Sequence, residues 1–284
     1  MSFTTLITAA ELKQHINNPV FVVLDCRSEL TDPHAGAIAF AAGHIPGAQH
    51  ADSDRDLSDK SAGPKGEFRG RHPLPSPANF IETLRSWGVY PNSQVIAYDA
   101  HGGMFAARVW WMLRWVGHKA VAVLDGGLPA WQAAGGELTQ EVINRPHGSI
   151  TLQPSLVGTV SADDVLANLS ARARVVLDAR AADRFRGENE TIDPVAGRIP
   201  GAKNRWFKDN LQADGKFKSA DTLRADYTAL IKSPEHTIMQ CGSGISACHN
   251  LLAMEIAGLP GALLYPGSWS EWSSDPSRPV AVGN

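Results

Sequence analysis

The chain has 284 residues, 43% of them hydrophobic and 19% charged, with a formal net charge of −3. That length accommodates two domains of ordinary size, and so small a negative charge leaves no footprint for nucleic acid or an anionic membrane surface. No stretch reaches the roughly 20 uninterrupted apolar residues of a spanning helix, and the apolar run that begins at Val109 is cut by Arg114. The opening Met1-Ser-Phe-Thr-Thr-Leu has no basic region of the kind a signal peptide carries, so none is expected. Three cysteines (Cys26, Cys241 and Cys248) cannot all pair and fit no zinc spacing. Free thiols point to the cytoplasm.

In chain order, Phe21-Val-Val-Leu-Asp25 is the first apolar run of strand length, followed by Cys26-Arg27 and then Gly43-His-Ile-Pro-Gly-Ala48. Residues 78–87 and 105–116 read as helices, and 95–98 and 120–124 as short buried strands. Residues 139–159, with Pro146, Gly148, Pro154 and Gly158 and no sustained pattern, read as a linker. Beyond it the first half is written again. Val175-Val-Leu-Asp-Ala-Arg180 repeats Val22-Val-Leu-Asp-Cys-Arg27, and Gly197-Arg-Ile-Pro-Gly-Ala202 repeats the earlier Ile-Pro-Gly motif. Gly267-Ser-Trp-Ser-Glu-Trp272 echoes Gly126-Gly-Leu-Pro-Ala-Trp131.

The expected organisation is therefore two α/β domains of one fold, at 1–138 and 160–284, each a mostly parallel sheet with helices on both faces. The first copy carries about a dozen extra residues in its middle, in a stretch that includes Gly66-Glu-Phe-Arg-Gly-Arg-His-Pro-Leu-Pro75.

Thr237-Ile-Met-Gln240 reads as a strand, and from Ile245 the apolar positions Ile245, Cys248, Leu252 and Ile256 mark a helix. Cys241 stands between them in Cys-Gly-Ser-Gly-Ile-Ser-Ala. A loop of small residues between strand end and helix start aims unpaired backbone N–H groups and the positive helix end at one sulfur. Such a field stabilises anionic sulfur, as a sulfur nucleophile requires. The first copy has Asp99 at the same place, after Val95-Ile-Ala-Tyr. A carboxylate cannot form a persulfide, so that copy reads as catalytically silent.

These motifs, with Arg108-Val-Trp-Trp-Met, Leu124-Asp-Gly-Gly and Arg184-Phe-Arg-Gly, run nearly end to end. Through them the chain resembles the tandem-domain rhodaneses, and more closely the 3-mercaptopyruvate sulfurtransferases. In that family thiosulfate enzymes carry Arg and Lys directly after the cysteine, where this chain has Gly242 and Ser243.

The resemblance implies two tandem rhodanese-like domains and no cofactor. It implies transfer of a sulfane sulfur from a small-molecule donor through a Cys241 persulfide to cyanide or a thiol, a thioredoxin-like protein among the acceptors. Gly242, Gly244, Ile245 and Ser246 would line the sulfur cradle. A Ser–His–Asp relay proposed for the family falls on Ser243, His72 and Asp54, and its carboxylate-binding arginine on Arg184. A second family arginine falls on Thr191 instead, which leaves Arg198 or Arg186 to supply that charge. No metal site is expected, and a monomer is. Cys26 and Cys248 read as core packing, as do the tryptophans of the 105–116 helix.

Three rivals remain open on sequence grounds: a thiosulfate:cyanide sulfurtransferase, a dedicated persulfide carrier, and a cysteine phosphatase. The last needs an arginine six residues after the cysteine to clamp phosphate, where this chain has Ala247.

Overall fold

The computed structural model describes residues 2–64 and 66–283; Met1, Lys65 and Asn284 lie outside them. The chain divides into two compact units, neither continuous in sequence. The first comprises Met1–Ser58, Pro75–Leu156 and Leu211–Phe217, and the second Asp59–Leu74, Val157–Asn210 and Lys218–Asn284.

Among the described residues each unit holds one five-stranded sheet. In the first, β1 (Leu6–Ile7), β2 (Phe21–Asp25), β3 (Gln49–His50), β4 (Gln94–Tyr98) and β5 (Val121–Leu124) stand in the order β1-β5-β4-β2-β3. In the second, β6 (Gly158–Thr159), β7 (Val175–Asp178), β8 (Lys203–Asn204), β9 (Thr237–Gln240) and β10 (Leu263–Leu264) repeat that order as β6-β10-β9-β7-β8. Every pairing is parallel, with Val23 opposite Ile96 in one sheet and Val176 opposite Ile238 in the other.

Helices cover a parallel sheet on both faces, so its strands are apolar throughout rather than alternating. Accordingly every residue of β4, β5 and β9 is buried. The first core gathers Leu12, Val23, Ile96, Leu124 and Trp131; the second gathers Val165, Val176, Ile199, Ile238, Trp269 and Trp272.

The two motifs repeated earliest in each half serve one structural purpose. Asp25, at the end of β2, holds the Arg27 guanidinium, whose Nη2 also donates to the Gly43 carbonyl at 2.8 Å. Asp178, at the end of β7, holds Arg180 in the same way, and Arg180 Nη2 donates to the Gly197 carbonyl at 2.8 Å. Each pair thus pins an Ile-Pro-Gly turn to a strand end. Burial opposes the charge on Arg180, yet Asp178 outweighs it and the pKa is raised.

In the second sheet β9 lies between β10 and β7, and its carboxyl end runs into the Cys241 loop and the helix Ser246–Ile256. In parallel α/β sheets the carboxyl ends of such strands are where ligands bind.

Candidate active site

The Cys241 loop is held by its carbonyls. Trp269 N–H donates to the Cys241 carbonyl and Ser270 N–H to the Gly242 carbonyl, each at 2.9 Å. Cys241 N–H in turn donates to Ser268 Oγ at 3.1 Å, and that hydroxyl donates to the Tyr265 carbonyl. With the carbonyls tied to one side, Gly244 turns the chain with φ +77°. The helix that follows has no side-chain cap at Ile245. The positive end of this helix favours an anion at the sulfur, although the Cys248 amide also donates to the Ile245 carbonyl at 3.0 Å.

The equivalent loop of the first unit shows what this cradle accommodates. There Asp99 Oδ1 accepts from the amides of His101 and Gly103, and Oδ2 from those of Phe105 and Ala106, at 2.8–3.0 Å. Gly102 makes the same left-handed turn, with φ +72°. Four backbone donors converge on one anionic group, which is the geometry of an oxyanion hole. In the second unit Ser243, Ile245, Ala247 and Cys248 stand where those four donors stand, and Cys241 stands where the carboxylate does.

His72 belongs to the 59–74 segment, which joins the second unit although it lies in the first half of the sequence. Arg71 N–H donates to Ser270 Oγ at 3.1 Å and anchors the segment to the turn that holds the Cys241 loop. Gly70 is required there: its φ is +96°, and a Cβ would lie 2.8 Å from the Gly267 carbonyl oxygen. This anchoring puts His72 Nδ1 2.8 Å from Ser243 Oγ, with both residues buried.

Beside Gly242 lies a cluster of arginines and acids. Arg184 turns Nε and Nη2 to the Glu190 carboxylate at 2.8–3.2 Å, and Nη2 also reaches Asp193 at 3.3 Å. Arg71 Nη1 is paired with the other Asp193 oxygen. Burial works to raise the Glu190 carboxyl, but Arg184 and the amides of Asp193 and Ile192 outweigh it, leaving its pKa below the ordinary value. Asp193 is pushed up by burial against the pull of Arg71.

A rhodanese-like domain model matches residues 8–134 and again 161–275. The chain belongs to the rhodanese-like family. It is 46% identical to a Pseudomonas aeruginosa protein named "Probable 3-mercaptopyruvate sulfurtransferase", over all of both chains. It is 37% identical to the thiosulfate sulfurtransferase of Bos taurus, over 81% of this chain and 77% of that one. The crystal structure of SseA, a 3-mercaptopyruvate sulfotransferase from Escherichia coli, superposes with a TM-score of 0.82 at 32% identity. That match covers 94% of this chain and 100% of SseA.

Within this rhodanese-like frame the second unit brings together Cys241, Gly242, Ser243, Gly244, Ile245, Ser246, His72 and Arg184. Asp54 sits in the first unit, where its amide donates to Asp52 Oδ1. Arg198 is engaged with the C-terminal segment: its guanidinium lies 4.7 Å from the Phe185 ring centroid, and Nη1 donates to the Gly283 carbonyl. Arg186 pairs with Glu188 at 2.6 Å.

Cys248 and Cys26 are buried, and Cys248 Sγ donates to the Gly244 carbonyl at 3.3 Å. Among the described residues no group of three His, Cys, Asp or Glu could hold a metal, and no helix is long and apolar enough to cross a membrane.

Four residues at the site escaped the sequence reading: Ser268, Arg71, Glu190 and Asp193. Ser268 carried a signal, because it stands where the first copy has Gly127 and keeps the left-handed backbone, with φ +54° against +58°. Held there against its steric preference, about 1–2 kcal/mol, the serine sets its hydroxyl to accept from the Cys241 amide.

Proposed function

We propose that this rhodanese-like protein is a 3-mercaptopyruvate sulfurtransferase working through a persulfide on Cys241, with its first domain catalytically silent. The observation that carries the reading is the equivalence of Cys241 with Asp99. A loop that satisfies a carboxylate with four amides in one unit has the donors to hold an anionic persulfide in the other.

The first half-reaction balances as follows. Cys241 thiolate attacks the donor sulfur, an S–S bond forms, the C–S bond breaks, and its electron pair leaves as the enolate of pyruvate. The proton on the transferred sulfur is released as the persulfide ionises, and one proton is returned to the enolate carbon. Ser243, hydrogen-bonded to His72, is placed to move that proton. In the second half-reaction a thiol, a thioredoxin-like protein among the acceptors, removes the outer sulfur. Two half-reactions sharing one covalent intermediate give ping-pong kinetics.

Mercaptopyruvate is favoured over thiosulfate by the loop itself. Gly242 and Ser243 carry no charge of their own, and Arg184 offers a planar guanidinium suited to a carboxylate. The test compares pyruvate release from mercaptopyruvate with thiocyanate formation from thiosulfate. The expected preference in kcat/KM is at least about tenfold, or roughly 1.4 kcal/mol; an equal or reversed preference overturns the choice of donor. Intact mass after donor treatment should show one added sulfur on the wild type and none on Cys241→Ser. Its absence from fresh, reduced wild-type protein overturns the persulfide itself.

A further inference from the structure

We propose that the second unit binds one internal water molecule between Gln240, Asp178 and Ile199, at the place that the Tyr98 hydroxyl takes in the first unit. The inference goes beyond the sulfur chemistry above and does not rest on it.

The first unit supplies the reference. Tyr98 closes β4 opposite Asp25, and its hydroxyl donates to Asp25 Oδ2 at 2.6 Å. The same hydroxyl accepts from the Ile45 N–H at 3.1 Å. All three residues are fully buried. The Ile-Pro-Gly turn is thus pinned twice, at the Gly43 carbonyl through Arg27 and at the Ile45 amide through Tyr98.

The second unit repeats the first pin without the second. Gln240 closes β9 opposite Asp178, in the register that Tyr98 and Asp25 keep. Side chains two apart on a strand share a face, so Gln240 lies on the face of Ile238 as Tyr98 lies on that of Ile96. Ile238 and Ile199 share one apolar cluster, as Ile96, Tyr98 and Ile45 share the other. The glutamine side chain is shorter than the tyrosine it replaces. Among the described residues neither Nε2 nor Oε1 of Gln240 has a hydrogen-bond partner. The Ile199 N–H has no acceptor there, and the Asp178 carboxylate accepts from Arg180 alone. Gln240, Asp178 and Ile199 are all fully buried.

Polar groups so enclosed are paired in nearly every native protein, with water where no protein group serves. Internal waters make about three hydrogen bonds to groups of this kind, and this site offers an amide donor, a carboxylate oxygen and a side-chain amide. The chemistry also selects the ligand. A cation could not accept from Ile199 N–H, and an anion would face Asp178. A water accepts from Ile199, donates to Asp178 Oδ2 and keeps a bond for the Gln240 amide. The turn and the strand end that leads into Cys241 are thereby joined through an exchangeable molecule, where the first unit uses a phenol.

A crystal structure of the full chain, at a resolution that shows ordered waters, reads the site directly. A water within about 2.7–3.2 Å of Ile199 N, Asp178 Oδ2 and the Gln240 amide is expected. A dry site overturns the proposal.

Thermal unfolding tests it through two variants. Gln240→Met removes the amide and keeps an unbranched side chain of similar size. If Gln240 holds a water, the midpoint should fall by about 2–4 °C, the scale on which one net hydrogen bond is read in domains near this size. If the amide has no partner at all, its removal should raise the midpoint. A rise or no change in Gln240→Met therefore overturns the proposal. Gln240→Tyr installs the residue of the first unit, whose hydroxyl should replace the water and restore both of its bonds. Its midpoint is expected within about 2 °C of the wild type or above it. A fall of more than about 4 °C would show that the space is already filled by protein and that the phenol overpacks it.

Discussion

His72 Nδ1 and Ser243 Oγ, 171 residues apart in sequence, meet at 2.8 Å inside one compact unit. If this pair moves the proton that the departing pyruvate needs, Ser243→Ala and His72→Ala should each lower single-turnover pyruvate release about 10²-fold. The double variant should be about as slow as the slower single one, because both remove the same step. Losses of less than about threefold in both single variants would take the pair out of the mechanism.

Ser268 joins a left-handed backbone to a hydroxyl that receives the Cys241 amide. Ser268→Gly relieves about 1 kcal/mol of backbone strain and forfeits a hydrogen bond of similar size. Stability to urea should therefore change by less than about 1 kcal/mol, while persulfide formation slows about tenfold as Cys241 loses its anchor. A variant as fast as the wild type would reduce Ser268 to a turn residue.

Asp99 satisfies four amides, three of them in buried bonds, so its removal should be felt in stability rather than in catalysis. Asp99→Ala leaves those donors without their acceptor and should cost about 3 kcal/mol in urea unfolding. A cost under about 1 kcal/mol would show that the cradle tolerates vacancy.

Gly242→Ala would put a methyl group 2.9 Å from Arg71 Nη2. The far end of a long side chain can give way, so the fold should lose less than about 1 kcal/mol. KM for mercaptopyruvate should nonetheless rise several-fold as the guanidinium is displaced. Unchanged kinetics would place the donor elsewhere.

The acid limb of stability should depend on Glu190, whose folded pKa lies below the unfolded value. Its contribution is complete above about pH 4.5 and is lost as pH falls through the folded value. Glu190→Gln should therefore be less stable than the wild type at pH 7, with the gap closing below about pH 4.5. A gap constant across that range, read from urea midpoints, would contradict the assignment.

Much of this was legible in the sequence because parallel sheets leave a coarse signature. Strands buried on both faces appear as unbroken apolar runs, and β2, β4, β5, β7 and β9 could each be placed to within a residue or so. Asp25 and Asp178 were visible as repeats, although not the turn each one pins. Cys241 announced itself through local geometry alone, since its field is built by neighbours in the same loop.

Arg71 and Asp193 were not legible for the opposite reason. Their meeting spans 122 residues, and neither has a local pattern to mark it. The resemblance directed attention to Arg198, one residue into the repeated Gly197 motif, whereas its guanidinium is engaged with Phe185 and Gly283. Arg71 was adjacent to a nominated residue, His72, but a basic residue in a Pro- and Gly-rich stretch reads as solvated surface.

The 59–74 segment also bears on how the protein is made. Arg71 is synthesised early, yet the hydroxyl that anchors it belongs to Ser270, 199 residues later. At roughly 5–20 residues per second, a ribosome needs about 10–40 seconds to cover that distance. Throughout that interval the Arg71 amide lacks the acceptor that it has in the folded protein. A fragment beginning at Val157 would carry Cys241 without His72 or Arg71. Nascent chains thus bring Arg71, His72 and Cys241 into one anchored unit only after Ser270 has left the ribosome.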